Sequence, residues 1–166
     1  LAYALKHPEK VKRIIILNTW MWSLEEEKKL MKISGREEMA HLKKFGGTLF
    51  TGMRETLDYL HGKYKLFIVS NCQNGYIEAF YEFHQLAHLF RDHECSGRTG
   101  NPKGENLKDV IERNNLRNPV YIGDTIGDYE ASIKAGVPFV YAAYGFGQVP
   151  DFNYKAASPA ELKQLF

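Results

Sequence analysis

Apolar positions along the chain change their period several times, and those changes divide it into elements. Val11–Leu17 is rich in β-branched residues and predicts a strand. Ahead of it, Leu1–His7 reads as the end of a helix closed by Pro8. It has no cap, so further sequence is expected before Leu1. Ser23 is placed to N-cap a helix whose first turn holds Glu25, Glu26 and Glu27, where acids suit the helix dipole, and Gly35 is its expected stop. A second polar helix is expected over Arg36–Lys44, before the loop signal Gly46–Gly47. Met53–His61 carries Met53, Leu57 and Leu60 at helical spacing. Leu66–Val69 is a continuous apolar run, the pattern of a strand buried on both faces. After a polar turn at Asn71–Gly75, Tyr76–Phe90 reads as one helix with Ile77, Phe80, Tyr81 and His84 on one side. Then come a weak strand (Asp92–Ser96), a Gly/Pro loop (Gly97–Gly104), a helix (Glu105–Asn115) and a strand (Val120–Ile122). A helix (Asp128–Ala135) and a strand (Val137–Ala142) follow, and Ser158 is expected to cap a last helix with Glu161 at its capping-box position.

Strands alternating with helices predict an α/β fold: a three-layer, doubly wound, mainly parallel sheet with right-handed crossovers. The length of 166 residues fits a single α/β domain over 1–166 and lets the chain bury roughly 70% of its unfolded surface, so no disulfide or metal staple is needed. Apolar residues at 44% and charged residues at 25% exclude global disorder. Cys72 and Cys95 form no CxxC pair and read as buried free thiols. A net charge of +2 makes no case for nucleic acid or a membrane surface as partner. No run approaches the roughly 18 apolar residues of a membrane span. No signal peptide is visible, so the cytoplasm is the expected compartment.

In parallel sheets ligands sit beyond the carboxyl ends of the strands. The chemistry is therefore sought at Asn18–Thr19, Ser70–Asn71, Ser96–Gly97, Gly123–Asp124 and Tyr144–Gly147. The strongest signal is Tyr121-Ile122-Gly123-Asp124-Thr125-Ile126-Gly127-Asp128. A strand ends in one carboxylate and a second follows four positions on. With a helix starting between them both face one point, where mutual repulsion favours a hard divalent cation such as Mg²⁺. The alternative is that Asp124 caps the helix and Asp128 is a solvated first-turn acid. At Phe67-Ile68-Val69-Ser70-Asn71, a hydroxyl and a backbone N–H at a strand end make an anion-binding corner, or else a plain turn with a capping Ser70 or Asn71. At Gly100-Asn101-Pro102-Lys103-Gly104-Glu105-Asn106, Lys103 precedes a helix, where it either neutralises a phosphate or stays solvated. His84 and His88, four apart, lack a third ligand and read as ordinary helix residues. Trp20 and Trp22 read as core packing, or else as a gate to a site or the cover of an apolar pocket, and Tyr144-Gly145-Phe146-Gly147 as a flexible turn, or else as lining of the site mouth.

Taken in this order, the three motifs resemble motifs II, III and IV of the haloacid dehalogenase-like (HAD) superfamily, mostly Mg²⁺-dependent phosphatases. The phosphoglycolate-phosphatase-like members are the most similar. The stretch Leu49-Phe50-Thr51-Gly52-Met53-Arg54-Glu55-Thr56-Leu57 resembles that family's re-entry from its cap. The resemblance implies a HAD-like Rossmannoid core over 48–166, with a reduced helical cap-like insertion over 23–47. It implies that Ser70 and Asn71 bind the phosphoryl group of a small phosphorylated metabolite and that Lys103 steadies its charge. Asp124 would ligate Mg²⁺, with Asp128 completing or orienting that site. Many relatives carry the lysine directly before the proline, where this chain has Asn101.

The family's first motif, hhhhDxDGT, supplies a nucleophile and a general acid/base. Here the matching strand, Ile14–Leu17, is followed by Asn18 at the nucleophile position and Trp20 at the acid/base position. An amide is a poor nucleophile for phosphorus, and indole does not shuttle protons. Residues 1–25 resemble another fold, the helix and strand after the nucleophile elbow of haloalkane-dehalogenase-type α/β-hydrolases. Three functions stand open on the sequence: a HAD-type phosphatase, an inactive or chimeric HAD-like domain that binds Mg²⁺ and phosphate, and an α/β-hydrolase fragment.

Overall fold

The computed structural model describes residues 14–17 and 35–166, with side chains from residue 39 onward. Strand β1 is Ile14–Leu17, helix α1 is Gly35–Phe45, and α2 is Met53–His61. Strand β2 (Lys65–Ser70) leads into α3 (Tyr76–His84), a short 3-10 turn at Ala87–Leu89, and β3 (Phe90–Cys95). The short α4 (Ser96–Thr99) and α5 (Lys103–Arg113) precede β4 (Pro119–Gly123) and α6 (Ile126–Ala135). The chain closes with β5 (Phe139–Ala142), β6 (Tyr154–Ala156) and α7 (Pro159–Leu165).

The six strands form one sheet in the order β3-β2-β1-β4-β5-β6, and every pairing is parallel. This is the doubly wound arrangement, and the order reverses at β1 and β4. Alternate residues of each strand feed opposite faces. Leu66, Ile68, Val120, Ile122 and Val140 pack with Leu42, Leu57, Leu60, Phe80 and Leu162 of α1, α2, α3 and α7. Phe67, Val69, Tyr121 and Phe139 pack with Leu107 and Val110 of α5 on the other side. Both faces of β2 are therefore covered, which is why Leu66–Val69 is an unbroken apolar run.

Several boundaries differ from expectation. The helix beginning at Tyr76 ends at His84, because Gln85 turns left-handed (φ 54°). The Leu86 and Gln85 amides then donate to the Tyr81 and Glu82 carbonyls, closing the helix as a Schellman motif. His84 and His88 consequently do not share a helix: His84 is buried against the Gly46 carbonyl, and His88 lies in the 3-10 turn. The expected Gly97–Gly104 loop is mostly helical, since 96–99 form α4, and Lys103 and Gly104 are the first turn of α5. Strand β6 has no counterpart in the sequence reading. Glu161 accepts the Ala157 amide at 2.8 Å, so the expected capping box at Ser158 is not formed.

Within 35–47, α1 packs against α3, and Leu42 enters the core. The rest of the expected insertion, 23–34, lies outside the described residues, as do the expected helix at Leu1–His7 and Trp20 and Trp22. Among the described residues no helix is long and apolar enough to cross a membrane. Cys95 is buried and Cys72 half-buried, both as free thiols, and burial pushes the Cys72 thiol up to about 12.

Candidate functional site

The carboxyl ends of β1 and β4 meet in register, Leu17 opposite Ile122, with β2 on the far side of β1. This is the crevice where an open α/β sheet binds ligands. Its β4 side is built by the turn from Gly123 into α6. Thr125, not Asp124, is the N-cap, and Thr125 and Asp128 form a reciprocal capping box. Asp128 is the third helical residue and is fully buried rather than solvated. It fits there because Gly123 has no side chain: a Cβ at that position would lie 2.4 Å from Asp128 Cβ.

Every oxygen of Asp128 is used. Oδ2 accepts the Thr125 hydroxyl (2.7 Å) and the backbone N–H groups of Thr125 (3.0 Å) and Asp124 (3.2 Å). Oδ1 accepts Lys103 Nζ at 2.5 Å. Lys103, 8% exposed, is carried in by the first turn of α5, which packs on α6. Burial alone would favour the neutral acid. The Lys103 charge and these hydrogen bonds outweigh it and hold the Asp128 carboxyl below its usual range. Asn101, the other candidate for the lysine's place, is exposed and turned into the loop: its carbonyl accepts Asn106 Nδ2 and its amide donates to Thr99 Oγ1.

Asp124 is 3% exposed and held differently. Its Oδ2 accepts the Phe146 amide at 2.9 Å. No neighbouring group among the described residues donates to Oδ1. Burial raises its pKa, and the nearby Asp128 charge adds to the rise. Asp124, Asp128 and Lys103 together bury one more negative than positive charge, which a cation would relieve. The donor set suits Mg²⁺, which takes one or two carboxylates and otherwise keeps water. Asp124 has an oxygen to offer it, whereas Asp128 is already committed to Lys103 and the helix cap. Among the described residues no group of three His, Cys, Asp or Glu side chains forms a denser metal site.

Across β1, Ser70 is buried at the end of β2, and its Oγ accepts the Cys72 amide at 3.2 Å, which leaves the hydroxyl proton to donate. Asn71 is exposed, and its Oδ1 accepts the Ser96 hydroxyl at 3.0 Å. Tyr121 was not singled out by sequence reasoning. Its buried hydroxyl lies 3.2 Å from the Val69 carbonyl and 3.4 Å from Asp128 Oδ1, joining β2 to the acidic turn. A tyrosine in a fully buried strand position, where a phenol needs a partner, was the available signal. Asn18 lies outside the described residues.

Known proteins with similar structure share this architecture. A HAD-superfamily hydrolase of subfamily IA from Geobacter sulfurreducens aligns over 94% of this chain and 100% of its own, at 19% identity and a TM-score of 0.72. A HAD hydrolase from Bacillus subtilis, solved with bound magnesium, aligns over 94% and 99%, at 15% identity and a TM-score of 0.70. A protein from Lactobacillus plantarum described as a phosphoglycolate phosphatase aligns over 92% and 98%, at 14% identity and a TM-score of 0.71. A search of the curated proteins gives no match. The haloacid dehalogenase-like hydrolase family matches residues 9–142, including β1 and most of the segment whose residues resemble a haloalkane-dehalogenase-type hydrolase, so that second resemblance finds no support. By the extent of that match, the chain belongs to the haloacid dehalogenase-like hydrolase family.

Proposed function

We propose that the site at the ends of β1, β2 and β4 is a Mg²⁺-dependent phosphatase site for a small phosphate monoester. The observation that carries this reading is the buried Lys103–Asp128 pair beside Asp124, whose Oδ1 takes no hydrogen bond from any other described residue, at the reversal point of the sheet. Asp124 would be the ligand to Mg²⁺. Asp128 would orient it by fixing the backbone N–H groups of residues 124 and 125. Bound Mg²⁺ supplies positive charge against the phosphoryl oxygens. Lys103 adds a fixed cation on the same side, and Ser70 has a hydroxyl proton to donate to a phosphoryl oxygen, with Asn71 beside it.

A second reading has its own support. Asn18 and Trp20 stand where the family's nucleophile and acid/base are expected, which favours a domain that binds Mg²⁺ and phosphate without turnover.

The test is phosphate release from p-nitrophenyl phosphate by the purified chain, with and without EDTA, alongside Asp124→Ala. EDTA-sensitive turnover that disappears in the variant is the expected result. A folded chain without turnover that still binds Mg²⁺ and inorganic phosphate at millimolar levels in calorimetry supports the second reading. Binding of neither ends both.

A further inference from the structure

The turn after β5 lies directly on Asp124. A Cβ on Gly145 would sit 2.3 Å from Asp124 Cβ and 2.5 Å from its Oδ2, and a Cβ on Gly147 would sit 2.4 Å from the Asp124 carbonyl oxygen. A side chain at Gly145 would have to move the carboxylate, and one at Gly147 the backbone of residues 124 and 125. Between these glycines Phe146 presents its backbone N–H to Oδ2 at 2.9 Å, the one hydrogen bond from another residue to the Asp124 carboxylate among the described residues. Tyr141 of β5 ties the far end of the turn down, its hydroxyl donating to the Gly147 carbonyl at 2.8 Å.

The two aromatic residues of this turn both meet the ring of Phe50. Phe50 meets Tyr144 edge-on at 5.2 Å between ring centroids and Phe146 at 6.2 Å. Phe50 belongs to the linker between α1 and α2, where its carbonyl accepts the Met53 amide. A path therefore runs from the linker, through the Phe50 and Phe146 rings and then the Phe146 backbone N–H, to the Asp124 carboxylate.

We infer that Phe146 is a positioning residue for Asp124, and that Phe50 holds it in place, so that the conformation of the α1–α2 linker sets the metal affinity of the site. The inference rests on the proposed role of Asp124. In that role a carboxylate that takes its one hydrogen bond from another described residue through Phe146 is sensitive to anything that shifts that donor. The aromatic contacts of Phe50 provide the restraint, and a phenylalanine does so without adding a charge or a competing ligand near the site.

Two measurements on the full chain test this. Amide hydrogen exchange reads the Phe146 N–H in metal-free protein, and calorimetry with MgCl₂ reads the site. Phe50→Ala, and Phe50→Leu as the variant that keeps apolar bulk, are expected to lower Phe146 protection and weaken Mg²⁺ binding, each by about three- to tenfold. Phe50→Tyr, which keeps the ring, should restore both. Inorganic phosphate binding should not change. Unchanged Phe146 protection in Phe50→Ala and Phe50→Leu would overturn the inference, and so would reduced protection with wild-type Mg²⁺ affinity. Failure of the underlying reading is distinguishable, because the wild-type chain itself would then bind no Mg²⁺, and the positioning role would fall with it.

Discussion

Lys103 and Asp128 illustrate how a buried charge pair depends on both partners. At 8% and 0% exposure neither is well hydrated, and each is tolerable because of the other. Lys103→Met is expected to cost about 3 kcal/mol in urea unfolding, since it leaves a buried carboxylate without its cation. Lys103→Met with Asp128→Asn should recover part of that loss, which separates the pair from packing at position 103. Asp124 runs the other way. Its raised pKa means that the folded state binds more protons than the unfolded chain above the ordinary value of 3.8, so stability falls as pH rises through that window. Asp124→Asn, which keeps an acceptor for the Phe146 amide, is expected to stabilise the metal-free protein at neutral pH by about 1 kcal/mol in thermal or urea unfolding. The sequence made these acids visible as a pair on one turn. It did not make visible that Asp128 is buried, because that follows from a helix start at Ile126 and from the missing side chain of Gly123, which only the fold brings against it.

Strand β3 ends the sheet, and an edge strand needs its free backbone groups covered. Arginines cover it here. Arg98 and Arg113 each donate to the His93 carbonyl at 2.8 Å, while Arg113 also grips Asp92 (2.7 Å) and Glu94 (2.6 Å). Burial would raise the Glu94 pKa, but the hydrogen bonds from Arg98 and Arg113 overcome it and bring the carboxyl down to about 2. A depressed carboxyl stabilises fully above its unfolded value of 4.5 and loses that contribution as pH falls towards about 2. Glu94→Gln is therefore expected to cost about 2 kcal/mol at neutral pH, discounted for the partly exposed arginines, with the difference from wild type vanishing across that acid window in pH-dependent unfolding. The same stretch shows what periodicity misses. Gln85-Leu86-Ala87-His88-Leu89 consists of acceptable helix residues, so the apolar pattern runs on to Phe90, yet Gln85 takes a left-handed turn normally marked by Gly or Asn. Gln85→Gly should raise stability by about 0.5–1 kcal/mol in thermal unfolding by removing that backbone strain. Strand β2 was legible for the opposite reason: burial on both faces leaves an apolar run that no polar alternation interrupts.

For the whole molecule, the alternation of elements was enough to give the doubly wound class, but the strand order needed the pairing itself. That order decides the chemistry. With β1 between β2 and β4, its carboxyl end lies between the strand that delivers Ser70 and the strand that delivers Asp124. Leu17 is in register with Ile122, two residues before Asp124, and on the proposed reading of the site the residues that follow β1 in the chain are the ones expected to carry the nucleophile. The sequence has Asn18 and Trp20 there, outside the described residues, while Lys103, Asp124 and Asp128 already stand assembled on the other side. An asymmetry of this kind predicts that turnover at the proposed site is limited by the chemistry of the residues after β1 rather than by the architecture around it. Restoring a carboxylate nucleophile and a carboxyl acid/base with Asn18→Asp and Trp20→Asp together should raise Mg²⁺-dependent p-nitrophenyl phosphate turnover by about a hundredfold or more. Adding Asp124→Ala to the pair should remove the gain, which ties it to the same site. A folded double variant with no gain over the starting chain would show that positions 18 and 20 do not supply the attacking group and the acid/base.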